Sequence, residues 1–426
     1  MGVSKRNPWL NGLGVLLAVL VAYAGQVRAD VTSDTPGSIV IYPKVIADGT
    51  RDTLIELTNT SNMGTSAHCW YFDATNNCQP NNFFVDLTPQ QPISWRASTG
   101  RFTGEDRCGS GADGYKVCAS DLDCPATVGK CSNNGNTCTL DTECSGGTCS
   151  GKCIATPGIF LGNVPPRINF QGELKCVQVD SSGVPMAGNS LKGEALLETL
   201  VDDPQVGAAG QVSEYNAIAV QGIANPSPIC VGGPLAGHTC SGQSDCCDVN
   251  NACGTCNVQL KLDNTTYNAC PRDLVVTHYA DGGLETTPAG TTAMVKSEIT
   301  LVPCSEDIEN DRPTSATSVP VIANFRVVDE FESAALSGAI PFTCWLNLPL
   351  DDVRLNGIYN HSVVGDFVKT RIPTNTNASN VGVIGVIEEF HFLGSADAGT
   401  AAANLHGQGS RSGGDVITIP QQTGSN

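Results

Sequence analysis

Charge, aromatic rings and helical periodicity are all scarce in this chain. Charged residues make up 15% of its 426 residues and aromatic residues 6%. So few rings argue against a broad sugar-stacking platform. Basic residues are outnumbered, with 23 Lys and Arg against 42 Asp and Glu, for a formal charge of −19. Such a surface repels phosphate backbones and anionic lipid, which excludes nucleic acid as a partner. No apolar stretch after Ala24 approaches the roughly 20 residues of a spanning helix, so no membrane span is expected once the leader is removed. No stretch carries the periodicity of a long amphipathic helix, which excludes helical bundles and α/β layered folds. The signatures HExxH, GxSxG and GxxxxGK(S/T) are absent. That removes helix-borne zinc proteases, hydrolases with a nucleophile elbow and P-loop enzymes. A catalytic triad assembled in space is the enzymatic route left open.

The N-terminus reads as an export signal. Lys5 and Arg6 precede an apolar run from Leu13 to Ala24, and Val27-Arg28-Ala29 offers small residues at the positions a signal peptidase reads. Cleavage is expected before Asp30, with Ala24 as the alternative site. Loss of Lys5, Arg6 and Arg28 deepens the negative charge. The expected location is secreted or cell-surface, with the periplasm left open.

Cysteine is the residue present in excess. Of the 20 cysteines, eight crowd into one stretch (Cys108, Cys118, Cys124, Cys131, Cys138, Cys144, Cys149, Cys153) and six into another (Cys230, Cys240, Cys246, Cys247, Cys253, Cys256). The remaining six are scattered: Cys69, Cys78, Cys176, Cys270, Cys304 and Cys344. Even, close-set groups in an exported chain read as disulfides. The alternative for the second cluster is a metal, because Cys253 and Cys256 form a CxxC pair near Cys246, Cys247 and His238. A zinc ribbon needs two such pairs, and only one exists.

Period-two alternation marks the strands. It runs through Val258–Leu262, Val295–Leu301, Ala323–Val327 and Phe342–Leu348. Further strands are expected at 38–46, 53–59, 67–73, 83–87, 170–180, 214–222, 274–279 and 381–392. Candidate helical turns are confined to Glu194–Leu200 and Glu330–Leu336, and both also fit strand ends. The expected fold is therefore mostly β: immunoglobulin-like antiparallel sandwich domains, in the loose architectural sense. Residues 30–200 would form the first, carrying a Cys-rich insert at 108–153. Residues 201–426 would form the second, with an insert at 230–256. The inserts lack aliphatic periodicity, so covalent staples replace an apolar core.

A short unit repeats inside the inserts. Cys118–Cys124, Cys138–Cys144 and Cys240–Cys246 each read Cys, four residues, an acid, Cys. The acid suits a turn, accepting backbone N–H groups between its cysteines, and a calcium ligand is the other reading. Cys69-Trp70 and Cys344-Trp345 form a fainter repeat in the body.

The run Cys118, Asp121, Cys124, Pro125 with Lys130-Cys131 resembles part of a whey-acidic-protein four-disulfide core. The paired cysteines that should follow the lysine are missing, so that family's inhibitor function is not implied. Thr137–Cys149 and Thr239–Cys256 are similar to short Cys-repeat inserts in secreted proteins of environmental Gram-negative bacteria. The body, at Ile55–Ser61, Gly172–Asp180 and Asn404–Gly407, resembles uncharacterised exported β-rich proteins of the same bacteria. The resemblance implies location and architecture and supplies no activity.

Candidate chemistry is thin. Glu388, Glu389, His391 and His406 are the nearest approach to an active constellation, since Glu389 and His391 share a strand face. Glu306, Asp307, Glu309 and Asp311, and separately Asp329, Glu330 and Glu332, are acid clusters that suit calcium or a solvated loop. Trp70, Trp95 and Trp345 suit either a core or a binding face. No residue is assigned to catalysis or to a cofactor, and the metal question stays open. The expected function is a non-enzymatic surface or extracellular protein, structural or partner-binding. Its partners would be other surface proteins or its own copies, met through β-strands. Asp415–Pro420, beyond a Gly/Ser linker, is the terminal strand to watch. A secreted hydrolase and a calcium- or carbohydrate-binding module are the alternatives.

Overall fold

The computed structural model describes residues 31–101, 164–181, 183–249, 252–286, 290–308, 320–332, 335–375, 381–393 and 396–420. It also gives the backbone of five short strands between 106 and 154. The export signal, the cysteine side chains of the first insert, and Glu309 and Asp311 lie outside the described residues. Of the first insert's short strands, Asp106–Cys108 pairs with Val117–Cys118 and Cys153–Ile154, and Gly129–Lys130 pairs with Thr137–Cys138.

The chain is mostly β, with antiparallel sheets throughout the body. Outside the first insert, the strands up to Val220 build one ten-stranded sheet that folds at the Ala47–Asp52 pairing into two layers. One layer runs through Ile39–Ala47, Phe170–Val179, Thr65–Asp73 and Gln79–Leu87, and the other through Pro92–Arg96, Arg51–Asn59, Leu191–Thr199 and Val212–Asn216. Alternate side chains from the two layers meet in a first core that includes Tyr42, Ile55, Leu57, Cys69, Tyr71, Trp95, Leu174 and Leu197. Close approach governs this core: a Cβ at Gly193 would sit 1.9 Å from the Tyr42 hydroxyl. The Glu194–Leu200 stretch is strand up to Thr199, with its period-two apolar face inward.

Strands from Pro228 onward build three further sheets. Two of them enclose a second core of Leu274, Ile299, Leu301, Phe325, Ile340, Leu348 and Ile387. One of the two contains Val321–Asp329, Ala335–Phe342, Phe367–Asn375 and Asp273–Tyr279, and the other contains Thr292–Pro303, Val383–Leu393 and Ala396–Asn404. The Phe342–Leu348 alternation is split into two strands by a turn at 343–345.

The third sheet carries the second insert. Its order is Pro228–Val231, Thr255–Leu262, Asp415–Pro420 and Glu306–Asp307. Its apolar face packs on the outer face of the first layer, where Val258, Leu260, Ile417 and Ile419 meet Ile39, Ile41, Trp70 and Ile218. The Ile39–Ala47 strand is buried along its whole length as a result. Asp415–Pro420, singled out as the terminal strand to watch, is held inside the fold. Asp415–Pro420 pairs with Thr255–Leu262 on one side and with Glu306–Asp307, in parallel, on the other. Its apolar face, Ile417 and Ile419, is fully covered, which is why it stays in place.

Disulfides link the described cysteines, and none of these is free. Cys69 joins Cys176 across neighbouring strands, Cys270 joins Cys304, and Cys78 joins Cys344 over 266 positions of sequence. In the second insert Cys230 joins Cys246, Cys240 joins Cys256 and Cys247 joins Cys253. The sulfurs of Cys230, Cys240, Cys246 and Cys256 form that insert's own small core.

Candidate functional site

The residues singled out for chemistry fall into separate places. Glu388 and Glu389 are neighbours on one strand and so face opposite ways. Glu388 is 1% exposed and lies directly across the ladder from Glu298. Two carboxylates paired in this way repel each other unless cations reach them. Lys44 and Arg51 supply those cations, one from each layer of the ten-stranded sheet. Arg51 Nη2 lies 2.5 Å from Glu388 Oε2 and Arg51 Nη1 lies 2.9 Å from Glu298 Oε1. Lys44 Nζ lies 2.9 Å from Glu388 Oε2 and also pairs with Glu298. Ser213 donates to Glu388 at 2.5 Å and Asn347 to Glu298 at 2.9 Å. Burial alone would raise the Glu298 carboxyl, but the Lys44 and Arg51 charges overcome it and hold it below the usual range.

A local feature delivers Lys44. The pairing of Ile39–Ala47 with Phe170–Val179 slips by one residue between Val45 and Tyr42, a bulge at Pro43 and Lys44. The Tyr215 hydroxyl clamps it, donating to the Lys44 carbonyl at 2.6 Å and accepting from the Lys44 N–H at 3.2 Å. Trp345 Nε1 donates to the Pro43 carbonyl at 2.9 Å. The two-plus-two arrangement is therefore a charge-balanced joint between the cores.

A second buried set is unbalanced. Lys175 Nζ meets Glu173 Oε1 and Glu306 Oε2, each at 2.8 Å. Burial raises the Glu173 carboxyl, Lys175 opposes that, and Glu306 adds to it, leaving Glu173 well above the usual range. Beside it, Asp415 accepts from Ser305 at 2.7 Å and from Gly382 N–H at 2.9 Å, and also contacts Ser412. Burial pushes Asp415 up to about 6. Glu306, from the first acid cluster, is thus engaged by a lysine.

His391 does converge with carboxylates. Its Nδ1 lies 2.8 Å from Glu285 Oε2 and its Nε2 lies 3.8 Å from Glu389 Oε2. Glu389 also accepts the Tyr279 N–H at 2.9 Å. The imidazole is raised, chiefly by Glu389, with burial opposing and Glu285 reinforcing. The expected companion, His406, sits in a different sheet, opposite Val275, and is exposed. Glu285 was missed in the sequence because it comes from a separate hairpin strand, Gly283–Thr286.

The tryptophans take up packing. Trp70 is 2% and Trp95 3% exposed, and Trp95 Nε1 donates to the Tyr71 hydroxyl at 2.6 Å. Trp345 is half-buried against the third core cluster. The repeat acid in the second insert is a turn acceptor: Asp245 Oδ2 takes the Ser241 N–H and the Ser241 hydroxyl, both at 2.7 Å. Those contacts hold its carboxyl below the usual range. Two groups place three ligand-type atoms close together, Cys230 with Cys240 and Cys246, and Cys270 with Cys304 and Asp415. Their sulfurs are all disulfide-bonded, so they present no thiolate.

One sheet edge stands apart. Ala335–Phe342 ends its sheet, pairing with Val321–Asp329 on one side only. Among the described residues, its backbone bonds to nothing else. It is the one described edge strand longer than five residues whose sequence, ALSGAIPF, has no charge. Edge strands normally carry charges that discourage pairing with another chain. Ile340 and Phe342 point into the second core, while Ala335, Ser337, Ala339 and Pro341 are exposed. Proline is tolerated where its nitrogen faces away from the ladder. Backbone groups alternate sides along a strand, so Ala335, Ser337 and Ala339 present their N–H groups on the open side. Leu355 and Ile358 underlie Gly338, and Val353 beside them is 86% exposed.

No helix among the described residues is long and apolar enough to cross a membrane. No protein-family model matches the chain, and no curated protein or solved structure matches it either.

Proposed function

We propose that this is an exported, non-enzymatic surface or extracellular protein that contacts other chains by β-strand addition. The observation that carries the reading is the open, uncharged Ala335–Phe342 edge. Strand addition uses main-chain hydrogen bonds for affinity and alternate side chains for choice of partner. Export is supported by the leader-like N-terminus, the even cysteine groups and the disulfides. The likeness of the inserts to Cys-repeat inserts of secreted bacterial proteins fits the same location. The body is immunoglobulin-like in this reading, and the stapled inserts are projections that resist local unfolding.

The test uses a neutral strand peptide, STVTVTVTS, and fluorescence anisotropy. The wild-type chain is expected to bind it saturably. Ser337→Lys with Ala339→Lys, both at exposed positions, is expected to abolish binding with an unchanged urea midpoint. Equal binding by the two proteins would overturn the reading.

A further inference from the structure

We infer that the Ala335–Phe342 edge receives an extended segment in which apolar side chains alternate and Lys or Arg residues follow. The inference rests on the strand-addition reading above and adds the partner's chemistry and direction. Ala335–Phe342 and its neighbours Val321–Asp329, Phe367–Asn375 and Asp273–Tyr279 pair antiparallel throughout. An added strand that continues this pattern runs from the Phe342 end toward Ala335. Its C-terminal flank then arrives at the turn before Ala335.

That turn is acidic and projects a ring. Asp329, Glu330 and Glu332 surround Phe331, which is 79% exposed. The Glu332 N–H bonds to the Asp329 carbonyl at 3.0 Å, and Glu332 takes a left-handed φ of 54°. The turn geometry therefore sets the two exposed glutamates beside the strand's entrance. A basic flank meets opposite charge there, with Phe331 to cover its aliphatic stems.

A second copy of this chain fits less well. Antiparallel edge-to-edge pairing would bring the acidic turn of one copy to the Phe342 end of the other, followed by Thr343, Cys344 and Trp345, with no cation. Two chains of formal charge −19 also repel each other.

Three capped peptides test this by anisotropy at low salt: TVTVTVTKK, KKTVTVTVT and TVTVTVTEE. TVTVTVTKK is expected to bind about ten-fold tighter than TVTVTVTEE, from two exposed ion pairs gained in one and two repulsions in the other. Glu330→Gln with Glu332→Gln is expected to close that gap and leave STVTVTVTS binding unchanged. Equal affinities of TVTVTVTKK and TVTVTVTEE, with STVTVTVTS still bound, would overturn the charge inference alone. Tighter binding of KKTVTVTVT would overturn the direction. Failure of every peptide would overturn the strand-addition reading as well. A concentration-dependent dimer in sedimentation velocity, lost in Ser337→Lys with Ala339→Lys, would replace the peptide by a second copy.

Discussion

Glu388→Ala is the substitution that asks most of the buried joint. It removes the 2.5 Å contact to Arg51, the 2.9 Å contact to Lys44 and the acceptor for Ser213. Lys44 is 0% exposed, so two cations are left sharing the Glu298 carboxylate without water to help. An uncompensated buried charge costs about 3–5 kcal/mol. Asp351→Ala provides the contrast, because its pair with Lys296 is 3.8 Å long and half exposed; its loss is expected to cost under ~1 kcal/mol. Lys44→Met added to Glu388→Ala restores one cation to one carboxylate, Arg51 with Glu298 at 2.9 Å. The double variant is therefore expected to recover about 1–3 kcal/mol of the single variant's loss. Urea unfolding with the disulfides intact reads all three. A Glu388→Ala loss no larger than that of Asp351→Ala, or no recovery in the double variant, would refute the charge-balanced joint.

Three other expectations follow from single groups. Asp415, at about 6 in the folded chain against 3.8 as the ordinary value, keeps a proton that the unfolded chain releases. Stability should therefore fall as pH rises from about 3.8 to 6, by about 3 kcal/mol, and Asp415→Asn should flatten that slope in urea midpoints taken across the range. His391 is raised above 6.5, so its contribution is complete below 6.5 and is lost as pH rises through its higher folded value. NMR titration of the imidazole should show this, with the midpoint dropping in Glu389→Gln. Asp245→Ala removes both acceptor contacts of Ser241, so the Ser241 amide should exchange faster while peptide mapping still finds the Cys240–Cys256 bridge.

The strands were legible because they repeat every second residue, and Val295–Leu301 and Ala323–Val327 sit inside observed strands for that reason. The acid in Cys240–Cys246 was legible too, since a turn acceptor acts on a backbone four residues away. The joint was harder to read. Lys44 interrupts an apolar run at Ile39–Ala47, and Glu388 stands with Glu389 in the largely apolar Val383–Leu393. A charge in such a run marks a buried ionic partner, but which partner depends, for Lys44 and Glu388, on packing between strands more than 200 positions apart. The pairing of His391 with Glu285 was hidden for the same reason. The Gly/Ser linker before Asp415–Pro420 shows only that the chain turns, whereas the covered Ile417 and Ile419 face decides that the strand stays in its sheet. The Ala335–Phe342 edge was partly visible, as a charge-free segment, but nothing local says which strand ends a sheet.

Hydrogen–deuterium exchange over Ala335–Phe342, with and without TVTVTVTKK, tests the functional reading most directly. In the free chain the Ser337 and Ala339 amides should exchange rapidly while Ile340, bonded into the ladder, stays protected. Bound peptide should slow Ser337 and Ala339 and leave the Asp415–Pro420 strand unchanged. Protection of Ser337 and Ala339 before any peptide is added, or no change after saturation, would contradict an open docking edge.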